Sequence, residues 1–136
     1  MAALVYLADP TDLDKPSSVL PSILLESTAE YWFLYRYFEA ANLDRRTELI
    51  DLYGGGVIEG HQLHRLQCEL EQALQDVEAK PESWKVLVGW SGEKQSTETE
   101  DWRAVNKSGM LALINSLLKL VYYSTRSQLR LVTSGD

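Results

Sequence analysis

The sequence contains few residues that bind metals or act as nucleophiles: one cysteine and two histidines among 136 residues. The single Cys68 excludes an intramolecular disulfide and fits a reducing compartment. His61, His64 and Cys68 are spaced to share one face of a predicted helix, where they could supply three metal ligands. Zinc would need a fourth ligand, or an open position with supporting hydrogen-bond partners, and the sequence has no second His or Cys cluster. We therefore expect a solvated helix face, with no metal and no other cofactor.

Motifs for nucleotide binding or catalysis are also missing. Gly54-Gly55-Gly56 permits a sharp turn, but no Gly-Lys-Ser/Thr follows it, so it is not a phosphate-binding loop. His64 and Cys68 lie about one turn apart, and such a pair within one helix lacks an oxyanion hole and an orienting group. We expect no catalytic residues and no enzymatic activity. A metal-dependent enzyme using His61, His64 and Cys68 is the competing hypothesis.

Long apolar runs are absent as well. The N-terminus is apolar for only about eight residues, lacks a basic start and soon reaches Asp9, which is not typical of a signal peptide. The most apolar helical stretch, Ser108–Arg126, contains Asn115, Ser116 and Lys119 and is too short to span a bilayer. These features predict a cytoplasmic protein without a membrane partner.

Acidic residues outnumber basic ones, and the net charge is −7. Residues 1–101 hold 19 acidic and 8 basic side chains, whereas residues 102–136 hold 1 acidic and 5 basic ones. The overall negative field argues against nucleic acid as a partner, because its phosphates would be repelled. It favours a basic partner, although the charge also has the simpler explanation of solubility.

Three stretches have the apolar periodicity of helices. In Ser108–Arg126 the apolar arc is so wide that it requires cover on more than one side, and we expect this to be the central helix. The other two are Thr28–Ala41, with Ser27 and Glu30 at the spacing of a capping box, and Glu59–Ala79. Asn106 or Ser108 can cap the central helix. A short helix, Arg45–Tyr53, is predicted after a cap at Asp44 and ends at the three glycines.

Strand patterns are fewer. Trp84–Trp90 alternates most clearly, and Gln128–Thr133 is a predicted closing strand. Leu4–Ala8 is β-prone, but its place in the sheet stays open, and Ile23–Glu26 fits an edge strand or a helix lead-in. Ser91–Asp101 is predicted as a polar loop. Together these patterns predict one α+β domain in which three main helices pack with a small sheet of about three short strands.

Candidate contact residues come from aromatic and charged side chains at exposed positions. On the polar face of the first helix, Trp32 lies with Arg36 and Glu39, and Trp and Arg are enriched at interface hot spots. The acidic loop between Trp90 and Trp102 could bind a basic surface, and Glu59 with His61 forms a third candidate. For Trp32 the alternative is packing beneath a neighbouring loop, and for the acidic segment it is a solvated connection. The loop candidates are Glu93, Glu98, Glu100, Asp101 and Trp102.

Three stretches resemble small bacterial immunity proteins, the antidotes to contact-dependent or secreted polymorphic toxins. They are a Gly-rich turn leading into a Leu-spaced helix (Tyr53–Leu74), the Trp84–Trp90 strand, and a helix that returns into a short strand ending Gly-Asp (Leu117–Asp136). The resemblance implies a protein without catalytic residues that occupies the active site, or a nearby surface, of a cognate toxin. Many such proteins are acidic because many of the toxins are basic nucleases. The alternative is another acidic binding module: an adaptor, a regulatory subunit or a phage-encoded inhibitor.

Overall fold

A computed structural model describes residues 2–43, 48–91 and 99–135, apart from the side chains of residues 89–91 and 99. It confirms the α+β class and the three main helices. The element order is β1 (Ala2–Ala8), β2 (Ile23–Glu26), α1 (Ala29–Ala41), β3 (Gly55–Ile58), α2 (Gly60–Glu78), β4 (Ser83–Ser91), β5 (Thr99–Asn106), α3 (Lys107–Arg126) and β6 (Arg130–Gly135). The strands outnumber the predicted three, because two strands form in segments that the sequence patterns assigned to a turn and a loop.

The four-stranded sheet has the order β2-β1-β6-β3, and every neighbouring pair is antiparallel. The N-terminal segment therefore joins the sheet as an inner strand, and the Ile23–Glu26 segment is an edge strand. Along β1, the alternating Ala3, Val5 and Leu7 are buried in the main core, and Tyr6 packs with Ala8 and Val132 on the opposite face. This alternation follows from the period of two along a strand.

In the helical layer, α2 packs against both α1 and α3. The wide apolar arc of α3 is covered on more than one side, as predicted, by α2 and by the strands β1, β5 and β6. The middle position among the helices nevertheless belongs to α2 rather than to α3. The buried face of α2 consists of Leu63, Leu66, Leu70, Ala73 and Val77. None of the helices within the described ranges combines the length and apolarity that a membrane crossing requires.

The predicted cap of α1 is wrong by one residue. Thr28, with extended backbone angles, is the N-cap, and its hydroxyl accepts a hydrogen bond from the Tyr31 amide at 3.4 Å. The hydroxyl of Ser27 instead accepts a hydrogen bond from the Trp32 indole at 3.0 Å. Both residues are good capping types, so their side-chain chemistry alone does not distinguish them. Asn106 caps α3, as one of the two predicted alternatives stated.

Residues 48–53 of the predicted short helix Arg45–Tyr53 contain no helical turn. Its first three residues and its predicted cap, Asp44, lie outside the described residues. The burial of Ile50 and Leu52, rather than of Leu49 with Leu52, follows a period of two instead of helical spacing. The Tyr31 hydroxyl donates to the Ile50 carbonyl at 2.8 Å and holds this segment against α1.

Two further segments differ from their sequence predictions. Gly55 and Gly56 belong to strand β3, which pairs with β6, instead of forming a turn alone. In the predicted polar loop Ser91–Asp101, Ser91 ends β4 and residues 99–101 begin β5, which pairs with β4, whereas residues 92–98 lie outside the described residues. In both cases the partner strand supplies backbone hydrogen bonds to a sequence of low intrinsic β-propensity.

Candidate interaction groove

Helix α1 carries six of the thirteen aromatic residues of the chain, and Trp32 lies at the edge of this cluster. Its ring stands at 85° to Tyr31, with centroids 5.1 Å apart, and is tilted against Tyr35 at 5.4 Å. With its indole N–H bound to Ser27, Trp32 is half-buried. Part of the ring therefore packs against the core, and part remains at the surface.

Strands β4 and β5 form a separate two-stranded hairpin that lies against α1. Trp84 contacts Phe33 in an edge-on arrangement, with centroids 5.4 Å apart, and its cross-strand partner Val105 is fully buried. Three pairs further along the hairpin, Leu87 and Trp102 remain exposed to 36% and 50%. A two-stranded hairpin is at best marginally stable alone, so this packing against α1 holds it in place.

A groove of about 240 Å³ runs between α1 and this hairpin. We call it the aromatic groove. Its aromatic lining is Trp32, Phe33, Trp84 and Trp102, and Val86 and Leu87 add aliphatic surface. The three charged side chains in its lining, Arg36, Lys80 and Lys85, are all basic.

Arg36 is held at the groove by interactions with neighbouring rings. Its guanidinium lies 5.0 Å from the Phe33 centroid and 4.9 Å from that of Tyr37, and it donates to the Tyr37 hydroxyl at 3.0 Å. That hydroxyl donates to Asp76 at 2.6 Å. Burial, followed by the hydrogen bond to Asp76, raises the pKa of Tyr37 to about 12. Accepting this hydrogen bond, together with one from Gln72, lowers the pKa of the Asp76 carboxyl.

The two lysines are less constrained. The Lys80 ammonium lies 5.8 Å from the Trp84 ring centroid, within the range of a cation–π interaction. Lys85 is exposed and pairs with no carboxylate among the described residues. The groove therefore presents positive charge in a protein whose net charge is negative.

The acidic residues of β5 are engaged along their own strand. Glu100 accepts a hydrogen bond from the Trp102 indole at 2.7 Å, and Asp101 pairs with Arg103 at 3.2 Å. Neither carboxylate lines the groove. Of the predicted acidic segment, only Trp102 lines the groove among the described residues.

One polar atom near the groove lacks a partner. The Trp84 Nε1 is buried and donates no hydrogen bond to any described residue. The other two tryptophans whose side chains are described do donate, Trp32 to Ser27 and Trp102 to Glu100. Buried polar groups are nearly always hydrogen-bonded, so the exception at Trp84 is informative.

The structure brings together three of the residues predicted from the sequence. Trp32, Arg36 and Trp102 line the aromatic groove, although they are separated by up to 70 positions in the chain. Glu39 is exposed one turn beyond Arg36 on α1 but is not part of the lining. Glu93 and Glu98 lie outside the described residues.

The third predicted candidate, Glu59 with His61, lies on a surface outside the aromatic groove. Glu59 is the N-cap residue of α2 and forms an ion pair with Arg130 at 2.9 Å, and His61 is exposed in the first turn of the same helix. Neither residue lines the aromatic groove. Further along α2, the His64 Nε2 lies 3.7 Å from the Cys68 sulfur at the exposed surface. Within the described ranges, no three His, Cys, Asp or Glu side chains are grouped to hold a metal ion.

Sequence reasoning did not identify Lys80, Trp84, Lys85 and Leu87 as groove residues. The alternation of Trp84–Trp90 predicts a strand there but no groove. A usable signal was present, since Lys80, Trp84 and Lys85 place cations beside an aromatic residue within six positions. The groove partner of this segment is α1, about fifty residues earlier in the chain, and local patterns do not reveal such a contact.

Comparison with known proteins adds no relative. No family model matches the chain, and no significant match is found among the curated proteins or the solved structures.

Proposed function

We propose that this protein is an immunity protein that binds a cognate bacterial toxin in the cytoplasm and neutralises it stoichiometrically. The observation that supports this proposal best is the aromatic groove, which combines two partly exposed tryptophans, Trp32 and Trp102, with Arg36. Tryptophan and arginine side chains in a partly desolvated pocket are the typical anchors of protein–protein interfaces. The resemblance to immunity proteins in layout gives the class of partner.

The energetic role of the groove follows from its exposure. Trp102 leaves 50% of its surface in contact with water, and Leu87, opposite it on β4, leaves 36%. A partner that covers these side chains removes apolar surface from water. Each Å² of buried apolar surface stabilises the complex by about 25 cal/mol. Such contacts mainly slow dissociation, whereas the net charge of −7 acts at longer range on the rate of encounter with a basic toxin.

The test uses the product of the gene adjacent to the one that encodes this chain. Co-expression of the wild-type protein is expected to restore growth of cells that produce the neighbouring toxin, and the two purified proteins should form a stoichiometric complex. Trp102→Ala should weaken the complex by about tenfold or more, as expected for an interface anchor. Tyr53→Ala, which removes an exposed aromatic ring outside the groove, is the matched control.

Three results would contradict the proposal. If the product of the neighbouring gene is harmless to cells, there is no toxin for this protein to neutralise. If that product is toxic and kills cells that also make the wild-type protein, the protein does not confer immunity. A partner that binds without any toxicity of its own would instead indicate another acidic binding module, such as an adaptor or a regulatory subunit.

A further inference from the structure

We infer that the aromatic groove recognises an acidic, partly apolar peptide segment of the partner. In this arrangement a carboxylate of the segment faces Lys80 and Lys85, and an adjacent apolar side chain packs on Trp102 and Leu87. The inference rests on the proposed function, since it assigns the segment to the protein partner. It adds a chemical requirement that the net charge of the molecule does not suggest.

The first argument is charge complementarity. The charged residues of the groove lining are Arg36, Lys80 and Lys85, and all three are basic. Lys85 has no ion-pair partner among the described residues, and the Glu100 and Asp101 carboxylates of β5 are engaged by Trp102 and Arg103. Arg36 and Lys80 interact electrostatically with Asp76, which does not line the groove. A carboxylate in the groove therefore meets three cations, of which Lys85 is free of any described ion pair.

The second argument is the unpaired donor in the groove wall. The buried Trp84 N–H has no acceptor among the described residues, and an unsatisfied buried donor is unfavourable. A carboxylate or carbonyl oxygen from a bound segment would supply the missing acceptor. Because the nitrogen is covered in the free protein, a groove side chain must move first. Lys80, whose ammonium lies 5.8 Å from the Trp84 centroid, is long and flexible enough to do so.

The groove favours a peptide over a single-stranded nucleic acid. Basic and aromatic residues together also occur in sites that stack bases, but stacking requires accessible ring faces. Phe33 is 6% exposed, and the Trp32 ring is in contact with Tyr31 and Tyr35. The net charge of −7 also repels a phosphate backbone, with its many charges, more strongly than a segment with one or two carboxylates.

The experiment is a selection from a random peptide library displayed on phage, with the purified full-length protein as the bait. Peptides that bind the wild-type protein but not the Lys80→Glu/Lys85→Glu variant are collected. We expect the enriched sequences to carry Asp or Glu beside Leu, Phe or another apolar residue. A synthetic peptide from this pool should bind the double variant roughly tenfold more weakly than the wild-type protein.

The matched control is Lys15→Glu/Lys119→Glu, which changes the net charge by the same amount at two exposed positions outside the groove. It should bind the selected peptide as the wild-type protein does. A second readout is the indole N–H resonance of Trp84, identified by its loss in Trp84→Phe. Peptide binding should shift this resonance downfield, as expected when the proton gains an acceptor.

Several outcomes would overturn the inference. They are no enrichment of peptides, enrichment of basic peptides, equal weakening in both double variants, and an unmoved Trp84 resonance. Binding of a thymidine oligonucleotide that is lost in Lys80→Glu/Lys85→Glu, without peptide enrichment, would assign the groove to nucleic acid.

The experiments distinguish a failure of the inference from a failure of the proposed function. Growth protection without acidic-peptide binding removes only the inference, and peptide binding without protection removes only the proposed function.

Discussion

At the scale of single residues, two adjacent glycines in β3 differ sharply in their surroundings. A Cβ atom added to Gly55 would lie 2.5 Å from the Thr133 carbonyl oxygen and 3.1 Å from the Ser134 Cα. A Cβ added to Gly56 would meet no atom within 4 Å. The close approach of β6 is therefore specific to one position, and the sequence pattern of three glycines does not distinguish it.

This difference predicts opposite outcomes for the same substitution. Gly55→Ala should destabilise the protein by about 1–3 kcal/mol, because backbone atoms of β6 must move. Gly56→Ala should be neutral or should stabilise by up to about 1 kcal/mol, because alanine has less conformational entropy to lose in a strand. Urea unfolding of both variants measures the two free energies. Equal free energies of unfolding for the two variants would contradict the close approach of β6 at Gly55 alone.

The hydroxyl of Tyr37 links stability to alkaline pH. Burial and the hydrogen bond to Asp76 raise the pKa of Tyr37 to about 12, whereas tyrosine in an unfolded chain titrates near 10. Below pH 10 both states keep the proton, so the contribution of Tyr37 to stability is fully present. Between about pH 10 and 12 the unfolded chain has lost the proton and the folded protein has not, so stability falls as pH rises.

Tyr37→Phe should therefore reduce the alkaline loss of stability. The free energy of unfolding of the variant should fall less steeply from about pH 10 to 12, by up to about 1.4 kcal/mol per pH unit. Asp76→Asn should remove only part of the slope, because burial is the larger cause of the raised pKa. The measurement is urea unfolding at a series of pH values. Parallel curves for the wild-type protein and Tyr37→Phe would contradict the assignment.

At the scale of elements, the start of α1 depends on which of two neighbouring hydroxyls serves as the cap. Thr28 accepts from the Tyr31 amide, whereas Ser27 accepts from the exposed side of Trp32. Thr28→Ala should cost about 0.5–1 kcal/mol of stability through loss of the cap, and Ser27→Ala should cost less than about 0.5 kcal/mol. Thermal unfolding of the two variants compares them directly. A larger loss of stability in Ser27→Ala than in Thr28→Ala would indicate that Ser27 is the cap.

The β4–β5 hairpin shows how an element can depend on a distant part of the chain. It forms its own two-stranded sheet, so neither strand gains a hydrogen-bonded neighbour from the larger sheet. Trp84 on Phe33 and the buried Val105 connect it to the main core instead. This arrangement leaves the Leu87–Trp102 pair at the surface beside α1, and thereby creates the aromatic groove.

At the scale of the whole molecule, one continuous core joins the helices and both sheets. The surface charge is not uniform, since the net charge is −7 but the charged lining of the groove is basic. Long-range attraction to a basic partner and short-range recognition of an acidic segment can therefore act at different stages of association. The first stage is sensitive to salt, because exposed charges are screened beyond the Debye length.

The association rate with a basic partner should therefore fall with ionic strength. Between about 0.02 and 0.5 M salt we expect a decrease of about tenfold, measured by stopped-flow fluorescence of the groove tryptophans. At low salt, Lys15→Glu/Lys119→Glu should associate faster than the wild-type protein, and at high salt the two rates should converge. A rate that is independent of salt would show that net charge does not steer this encounter.

Local patterns were sufficient for the elements that carry strong periodicity. The three helices were predicted to within a few residues, and the clearest strand, Trp84–Trp90, corresponds to β4. Weakly patterned segments were less predictable. β3 and the start of β5 are strands because a partner strand pairs with them. Residues 48–53 form no helical turn, and the Tyr31 hydroxyl binds the Ile50 carbonyl of this segment instead.

For the candidate site, the sequence alone determined which residue types were available: partly exposed tryptophans, an arginine on the polar face of α1, and an excess of acidic side chains. Only the tertiary structure decided that Trp32, Arg36 and Trp102 share one groove with Lys80 and Lys85, and that Glu59 and His61 do not. The reason is physical. Periodicity along a chain reports which face of an element is buried, whereas the charge and shape of a groove depend on which distant elements pack together.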